Sequence, residues 1–337
     1  MATVESFRQL LKPLIFYSKG VGVEIWTAPG KFVPASYYLS LHVAIYFSST
    51  VFTLIKYSDD TLHMMKALIT LGTCVQLYVK FIIGHKKASE LKLLSDNIEQ
   101  AILQRYEDGK AEEIAVLQRT GRILWFIFRF MRTSVSSAAF GFFLYPVIAY
   151  YTTGELMPLF MIELPYYGWT TIMGLAMNMF CQANILVIGT MGAIMSDFLF
   201  FMYAIFLNTI EDIFGITCLA QVLMGIFTVC DGMLLVALTF WFPTYCFLAV
   251  MFIELSIYFV IGHFVELKID EMYNSIISMP WYKLPVEEQK EFAFLMCRQQ
   301  RPMMLTAYGL LTMNFESYMS VLKGLYQFFV MIMQYVE

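Results

Sequence analysis

Residues 164–196 read LPYYGWTTIMGLAMNMFCQANILVIGTMGAIMS, a run with no charged side chain. At 1.5 Å rise per residue these roughly 33 residues make ~50 Å of helix, more than the ~30 Å hydrocarbon core of a bilayer requires. The run therefore predicts a membrane helix that tilts, starts late, or continues past the membrane toward Phe206. Further stretches follow the same logic. Ala35–Ile55 predicts a first span, Ala67–Ile83 a second with Lys80 snorkelling near its end, and Thr133–Gly154 a third entered through Arg129 and Arg132. The uncharged run is the fourth. Ile213–Phe240 and Thr244–Val265, hinged at Trp241-Phe242-Pro243, are the fifth and sixth, and Met303–Val336 is the seventh.

The composition agrees. Of 337 residues, 59% are hydrophobic and 14% charged, with aromatics at 17%; soluble domains run about half apolar and about a quarter charged. A net charge of −4 gives nucleic-acid binding no electrostatic support. The run Leu10–Tyr17 is broken by Lys12 and Pro13, so it is no signal-peptide core, and the first span is expected to act as its own insertion signal. None of the six cysteines falls in a predicted outside loop, which favours buried thiols over a disulfide framework.

Basic residues set the orientation. Arg8, Lys12, Lys19 and Lys31 precede the first span. Lys86, Lys87, Lys92, Arg105, Lys110, Arg119 and Arg122 lie between the second and third. Lys268, Lys283, Lys290, Arg298 and Arg301 lie between the sixth and seventh. The opposite gaps carry Asp59, Asp60, Glu155 and Glu163. Cytoplasmic loops hold the excess of Lys and Arg, so the expected fold is an all-α polytopic membrane protein. It has seven transmembrane helices, a cytoplasmic N-terminus and an extracellular C-terminus, the reverse of a G-protein-coupled receptor. The expected organisation is a cytoplasmic arm over 1–34, spans one to six over 35–268, a cytoplasmic helical region over 269–302 and the seventh span over 303–337. Ser89–Ala115 reads as an amphipathic helix on Leu91, Leu94, Ile98 and Ile102. Lys283–Gln300 reads as a second, with Pro285 in its first turn and Phe292, Leu295 and Met296 on its apolar face.

No catalytic constellation is present. His42, His63, His85 and His263 sit on separate elements, and no metal-ligand or nucleotide-binding spacing occurs, so neither an enzyme nor a cofactor is expected. The seventh span is unusual. Ser320, Gln327 and Gln334 repeat every seven residues, with Gly324 and Met331 on the same face. A polar stripe in a membrane helix turns toward protein or water. It either packs inside one bundle or, in several copies around an axis, lines a pore in which Met331 is a constriction between glutamine rings. Glu316 and Lys323 share another face and can pair with neighbours. Asp231 and Glu254, acids within apolar spans, mark a site or lie near a helix end or in an internal pair. In the outer half, Gly141, Tyr145, Tyr150, Trp169, Met173, Met177 and Tyr245 suggest a pocket for a small, neutral, apolar molecule, since no Lys, Arg or Asp is available at that depth.

The C-terminal third resembles the last membrane segment of insect odorant receptors. Trp281-Tyr282-Lys283-Leu284-Pro285, Gln300-Arg301-Pro302, Ala307-Tyr308-Gly309, Asn314-Phe315 and Val321-Leu322-Lys323 carry the resemblance, in that order. Tyr308 followed after five residues by Asn314-Phe315 is also similar, in degenerate form, to the signature of the related gustatory receptors, which are the alternative of the same fold. The resemblance implies a ligand-gated, nonselective cation channel in the plasma membrane of a sensory dendrite. It implies a heterotetramer with the shared odorant co-receptor, opened by a small apolar volatile. It makes Ser320, Gln327, Met331 and Gln334 pore residues and Lys283–Gln300 an inter-subunit anchor. Only Asn208–Asp212 separates spans four and five, where the family carries a long polar extension and the co-receptor a longer one still. The resemblance therefore implies a tuning subunit. A G-protein-coupled receptor is opposed by the reversed charge bias, and a transporter by the lack of internal repeats.

Overall fold

The computed structural model describes residues 2–154, 156–206, 211–299 and 304–336. Every regular element among them is helical, apart from isolated bridges at Leu164–Tyr167 and Thr306–Thr312. In chain order the α-helices are α1 (Ala2–Val21), α2 (Pro34–Lys56), α3 (Thr61–Lys86), α4 (Ala88–Asp108), α5 (Ala111–Thr153), α6 (Ile172–Phe206), α7 (Glu211–Leu238), α8 (Phe242–Ser278), α9 (Val286–Gln299) and α10 (Phe315–Val336). Among the described residues, α2, α3 and α5–α8 are long and apolar enough to cross a membrane. The 22 residues of α10 give it spanning length, about 33 Å, but Lys323, Gln327 and Gln334 make it less apolar. The chain is an all-α polytopic membrane protein.

Local chemistry sets the helix ends. Pro34 and Pro243 occupy the first turns of α2 and α8, where a missing N–H costs nothing. The Asp60 carboxylate caps α3 by accepting from the His63 amide at 3.0 Å. Gly154 closes α5 in the left-handed region, at φ 74°, its N–H donating to the Tyr150 carbonyl at 3.0 Å.

Several boundaries differ from the sequence expectation. The N-terminal arm contains a 20-residue helix, α1, with Leu10, Leu11 and Leu14 buried against the bundle. Lys12 and Pro13, which broke the apolar run, do not break this helix, because only its buried stripe has to be apolar. The amphipathic helix expected to reach Ala115 stops at Asp108, where Gly109 adopts an extended conformation. The following residues belong instead to α5, which runs unbroken through Arg129 and Arg132 into the third span. Those two guanidinium groups lie over the Trp125 and Phe128 rings. α6 starts late and ends at Phe206, as its excess length foretold. α8 continues to Ser278, well past Val265, because its polar extension keeps helical spacing. The seventh helix begins at Phe315 and not at Met303, which lies outside the described residues. Leu305–Met313 forms a tight turn in which the Ala307 amide donates to Leu311 at 2.7 Å and the Met313 amide to Leu305 at 2.9 Å. Tyr308 and Gly309 hold positive φ there. Arg298 and Gln300–Pro302 fall at or beyond the limits of what is described.

The principal core sits toward one end of the bundle, where α1, α4, α5, α6 and α8 converge. Phe128, Phe198, Phe200, Phe201, Tyr203 and Tyr258 are almost fully buried, and Phe200 stacks on Tyr258 at 4.6 Å. A polar network runs through this greasy centre. Lys80 of α3 pairs with Asp197 of α6, their side chains 2% and 1% exposed. The Tyr258 hydroxyl of α8 donates to the same Asp197 oxygen at 2.6 Å. Gln76 donates to Gln221 of α7, whose amide reaches Glu254 of α8 at 3.4 Å. Lys80 therefore does not snorkel; with an acid at its own depth, pairing satisfies it inside the bundle.

Asp197→Ala leaves the Lys80 ammonium buried without a partner and is expected to cost about 3–5 kcal/mol. The melting temperature of the detergent-solubilised protein measures the loss, and adding Lys80→Met should recover most of it.

Candidate ligand cavity and the uncovered face of the last helix

A cavity of about 150 Å³ lies in the middle of the bundle between α2, α3, α5, α6 and α8. Its walls are Tyr46 of α2, Thr70, Thr73, Leu77 and Phe81 of α3, Val135 and Phe142 of α5, Ile185 and Gly189 of α6, and Phe247 and Met251 of α8. These residues share the inward faces of their helices, and Gly189 leaves room that a side chain would fill. The walls are mainly apolar and aromatic, as small-molecule sites are. Their polar groups are largely occupied. The Tyr46 hydroxyl and Thr70 Oγ1 are 2.6 Å apart, and Thr73 Oγ1 lies 3.8 Å from Met251 Sδ. Glu254, buried at the floor, is the acid of the site.

The roof is the segment between α5 and α6, folded inward. Leu159–Glu163 are buried, and Phe160 reaches the cavity. Irregular backbone inside a bundle needs partners for its amides, and α6 supplies them. Gln182 accepts from the Phe160 amide at 2.9 Å and donates to the Ile162 carbonyl at 2.7 Å. Asn178 accepts from the Leu164 amide at 2.8 Å and donates to Tyr167 at 2.7 Å. From α2, Thr53 Oγ1 accepts from the Glu163 amide at 2.8 Å. The Glu163 side chain is held by Lys56 Nζ at 2.7 Å and by the Tyr57 hydroxyl at 3.0 Å. Burial, and then the Glu163 carboxylate beside it, push the Tyr57 hydroxyl up from its ordinary pKa.

The residues expected to form a pocket are dispersed. Gly141 is buried facing Cys246. Tyr145 packs with Met65, Ile69, Met161 and Trp241 in a separate outer cluster. Trp169 stacks on Tyr57 at 5.9 Å and on His63 at 5.6 Å. Met177 is half-buried on α6. Tyr150, Met173 and Tyr245 are exposed. None of the seven lines the cavity, which lies deeper than the outer half they mark. The cavity walls were missed because Thr70, Leu77, Phe142 and Phe247 look like ordinary core; Asn178 and Gln182, amides on an uncharged membrane helix, were the available signal for the roof.

On α10, Leu325 and Ile332 are buried toward the bundle. Ser320, Gly324, Gln327, Met331 and Gln334 lie on the opposite face, and all are exposed. Among the described residues outside its own helical turn, no atom comes within 4 Å of where a Gly324 side chain would begin. Glu316 and Lys323 are exposed and form no ion pair among the described residues. α9 and the turn before it are equally uncovered, with Val286, Phe294 and Tyr282 exposed.

Residues 205–326, which span α7 through most of α10, match the family model described as 7tm Odorant receptor. Over that stretch the chain is similar to the odorant receptors. It is 30% identical over 95 residues to the putative odorant receptor 83c of Drosophila melanogaster, a match covering 28% of this chain and 24% of that one. Its fold is similar to that of the olfactory receptor OR5 of Machilis hrabei, with a TM-score of 0.80 at 12% identity over 98% of this chain and 99% of the other. The same Machilis receptor in complex with eugenol matches with a TM-score of 0.70 at 14% identity and the same coverage. At these identities the structural likeness concerns the fold.

Gln182→Ala in this chain leaves the Phe160 amide and the Ile162 carbonyl unpaired, a loosening of about 1–3 kcal/mol. Hydrogen exchange should quicken across Phe160–Leu164, while the middle of α6 keeps its protection.

Proposed function

We propose that this chain is an odorant-receptor tuning subunit that assembles with the shared co-receptor into a heterotetrameric, nonselective cation channel opened by a small, largely apolar volatile. The observation that carries the channel reading is the uncovered face of α10. Five residues at heptad spacing, two of them glutamines, turn away from the chain's own bundle. Glutamine facing lipid is costly, so this face calls for water or another subunit. Four such helices around an axis would set Gln327 and Gln334 as polar rings with Met331 between them. The match of residues 205–326 to the odorant receptor family model supports the same reading. The exposed aromatic surface of α9 and its preceding turn suits the cytoplasmic anchor, where another subunit would cover Phe294 and Tyr282.

The charge distribution supports a cytoplasmic N-terminus and, with α10 as the seventh span, an extracellular C-terminus; the likeness to odorant receptors supports the plasma membrane of a sensory dendrite. The mid-bundle cavity is the proposed ligand site. Its apolar walls suit a volatile, and the structurally similar Machilis receptor is known in complex with eugenol.

Whole-cell current in cells expressing this chain with the co-receptor tests the assembly. A fast inward cation current that needs both subunits and survives G-protein blockade is expected; silence while the chain reaches the surface refutes it. Gln334→Ala is expected to change permeability ratios with ligand potency held within about twofold, and unaltered ratios would remove that residue from the pore. Phe247→Ala is expected to shift half-maximal concentration by about tenfold, ~1.4 kcal/mol, at unchanged conductance. Met173→Ala, on the exposed outer face, should leave the same curve in place.

A further inference from the structure

The cavity floor carries an acid whose neighbouring cation is paired with another carboxylate. Two carboxylates, Asp197 and Glu254, and one ammonium, Lys80, are buried together where α3, α6 and α8 meet. Lys80 is committed to Asp197, and the Tyr258 hydroxyl donates to that same carboxylate at 2.6 Å. Glu254 stands one helical turn before Tyr258 and lines the main cavity and the small void beneath it. Its hydrogen bond among the described residues comes from the neutral Gln221 amide, at a long 3.4 Å. No ion pair reaches it among those residues. A buried carboxylate without a cation is expensive, and a cation arriving in the cavity relieves that cost. The neutral ligand expected from the sequence followed from an outer pocket without acids at its depth; the cavity lies deeper and contains one.

We propose that the cavity takes a small amine, its ammonium group seated on Glu254 and its apolar body against Phe142, Phe247 and Met251. The size of the site limits the occupant. A cavity near 150 Å³ holds a benzene ring, so a ring with a short aminoalkyl arm, about eight non-hydrogen atoms, fills it. The aromatic walls take the ring, and Glu254 at one end fixes its direction. A charge-assisted hydrogen bond in a dry site gives the amine its advantage over an alcohol of the same shape. The inference rests on the reading of this cavity as the ligand site and specifies the head group it recognises.

Benzylamine and benzyl alcohol, alike in size, are the probes. The full chain co-assembled with the co-receptor in nanodiscs should bind radiolabelled benzylamine saturably, with benzyl alcohol competing about tenfold more weakly. Glu254→Gln keeps the side-chain shape and should weaken benzylamine about tenfold while leaving benzyl alcohol within about threefold. Phe247→Ala should weaken both together. Equal affinity for the two probes in the native receptor would mean that Glu254 holds a proton instead, and would overturn the proposal. So would an equal loss of both in Glu254→Gln, or no saturable binding of either. Currents recorded in parallel separate this inference from the channel reading. Glu254-dependent benzylamine binding without current supports the amine site and refutes the channel. Current to alcohols without amine preference does the reverse.

Discussion

The ion pair between Lys80 and Asp197 holds three helices in one place. Each charge would be prohibitive inside an apolar bundle by itself. Together they lock α3 to α6, and the Tyr258 hydroxyl adds α8 through the same carboxylate. The packing follows from that junction. Phe200 can stack on Tyr258 because the tyrosine is pinned, and the inner aromatic core closes around the stack. Above the pair, Gln76, Gln221 and Glu254 bring in α7, and Glu254 lines the cavity floor. A bundle held only by interchangeable leucines could slide; one threaded by a directional polar network has a single register.

Hydropathy and charge bias made much of the architecture legible. Spans one to six appear where uncharged runs predict them, because a helix in lipid has to satisfy its own backbone and shows apolar residues on most of its circumference. Helix ends were less legible. The extensions of α5 and α8 beyond the apolar runs are polar, and hydropathy goes silent where a helix leaves the bilayer although the helix does not. α1 was hidden for a similar reason: only its stripe of Leu10, Leu11 and Leu14 is apolar. The start of α10 was lost to a turn that needs positive φ at Tyr308 and Gly309, a conformation that an apolar run does not announce.

The site divides along the same line. The face of α10 was readable because glutamine is out of place there. The cavity was not, because its walls are made of the residues every helix buries, and a void depends on how several inward faces fail to interlock. The aromatics and methionines that seemed to mark a pocket do other work. Tyr145 fills an outer cluster, Trp169 stacks on Tyr57 and His63, and Met173 faces outward. The acid at the cavity floor was visible as a residue, but its lack of an ion-pair partner among the described residues could be known only once Lys80 was seen committed to Asp197.

The length of α5 has a mechanical consequence. Its 43 residues make a rod of about 65 Å, roughly twice the hydrocarbon thickness. Pro146 sits near the outer end, so the long remainder is uninterrupted by proline. Phe142 touches the cavity near that outer end, while the opposite end emerges beside α4. A rod of this kind is a lever with unequal arms, its fulcrum in the inner aromatic core at Phe128. The arm from Phe128 to Ala111 is about 26 Å, so a tilt of about 5° swings its end by roughly 2 Å, about as far as Phe142 moves at the cavity. An adjustment at the cavity is thereby carried undiminished to the far end of the helix.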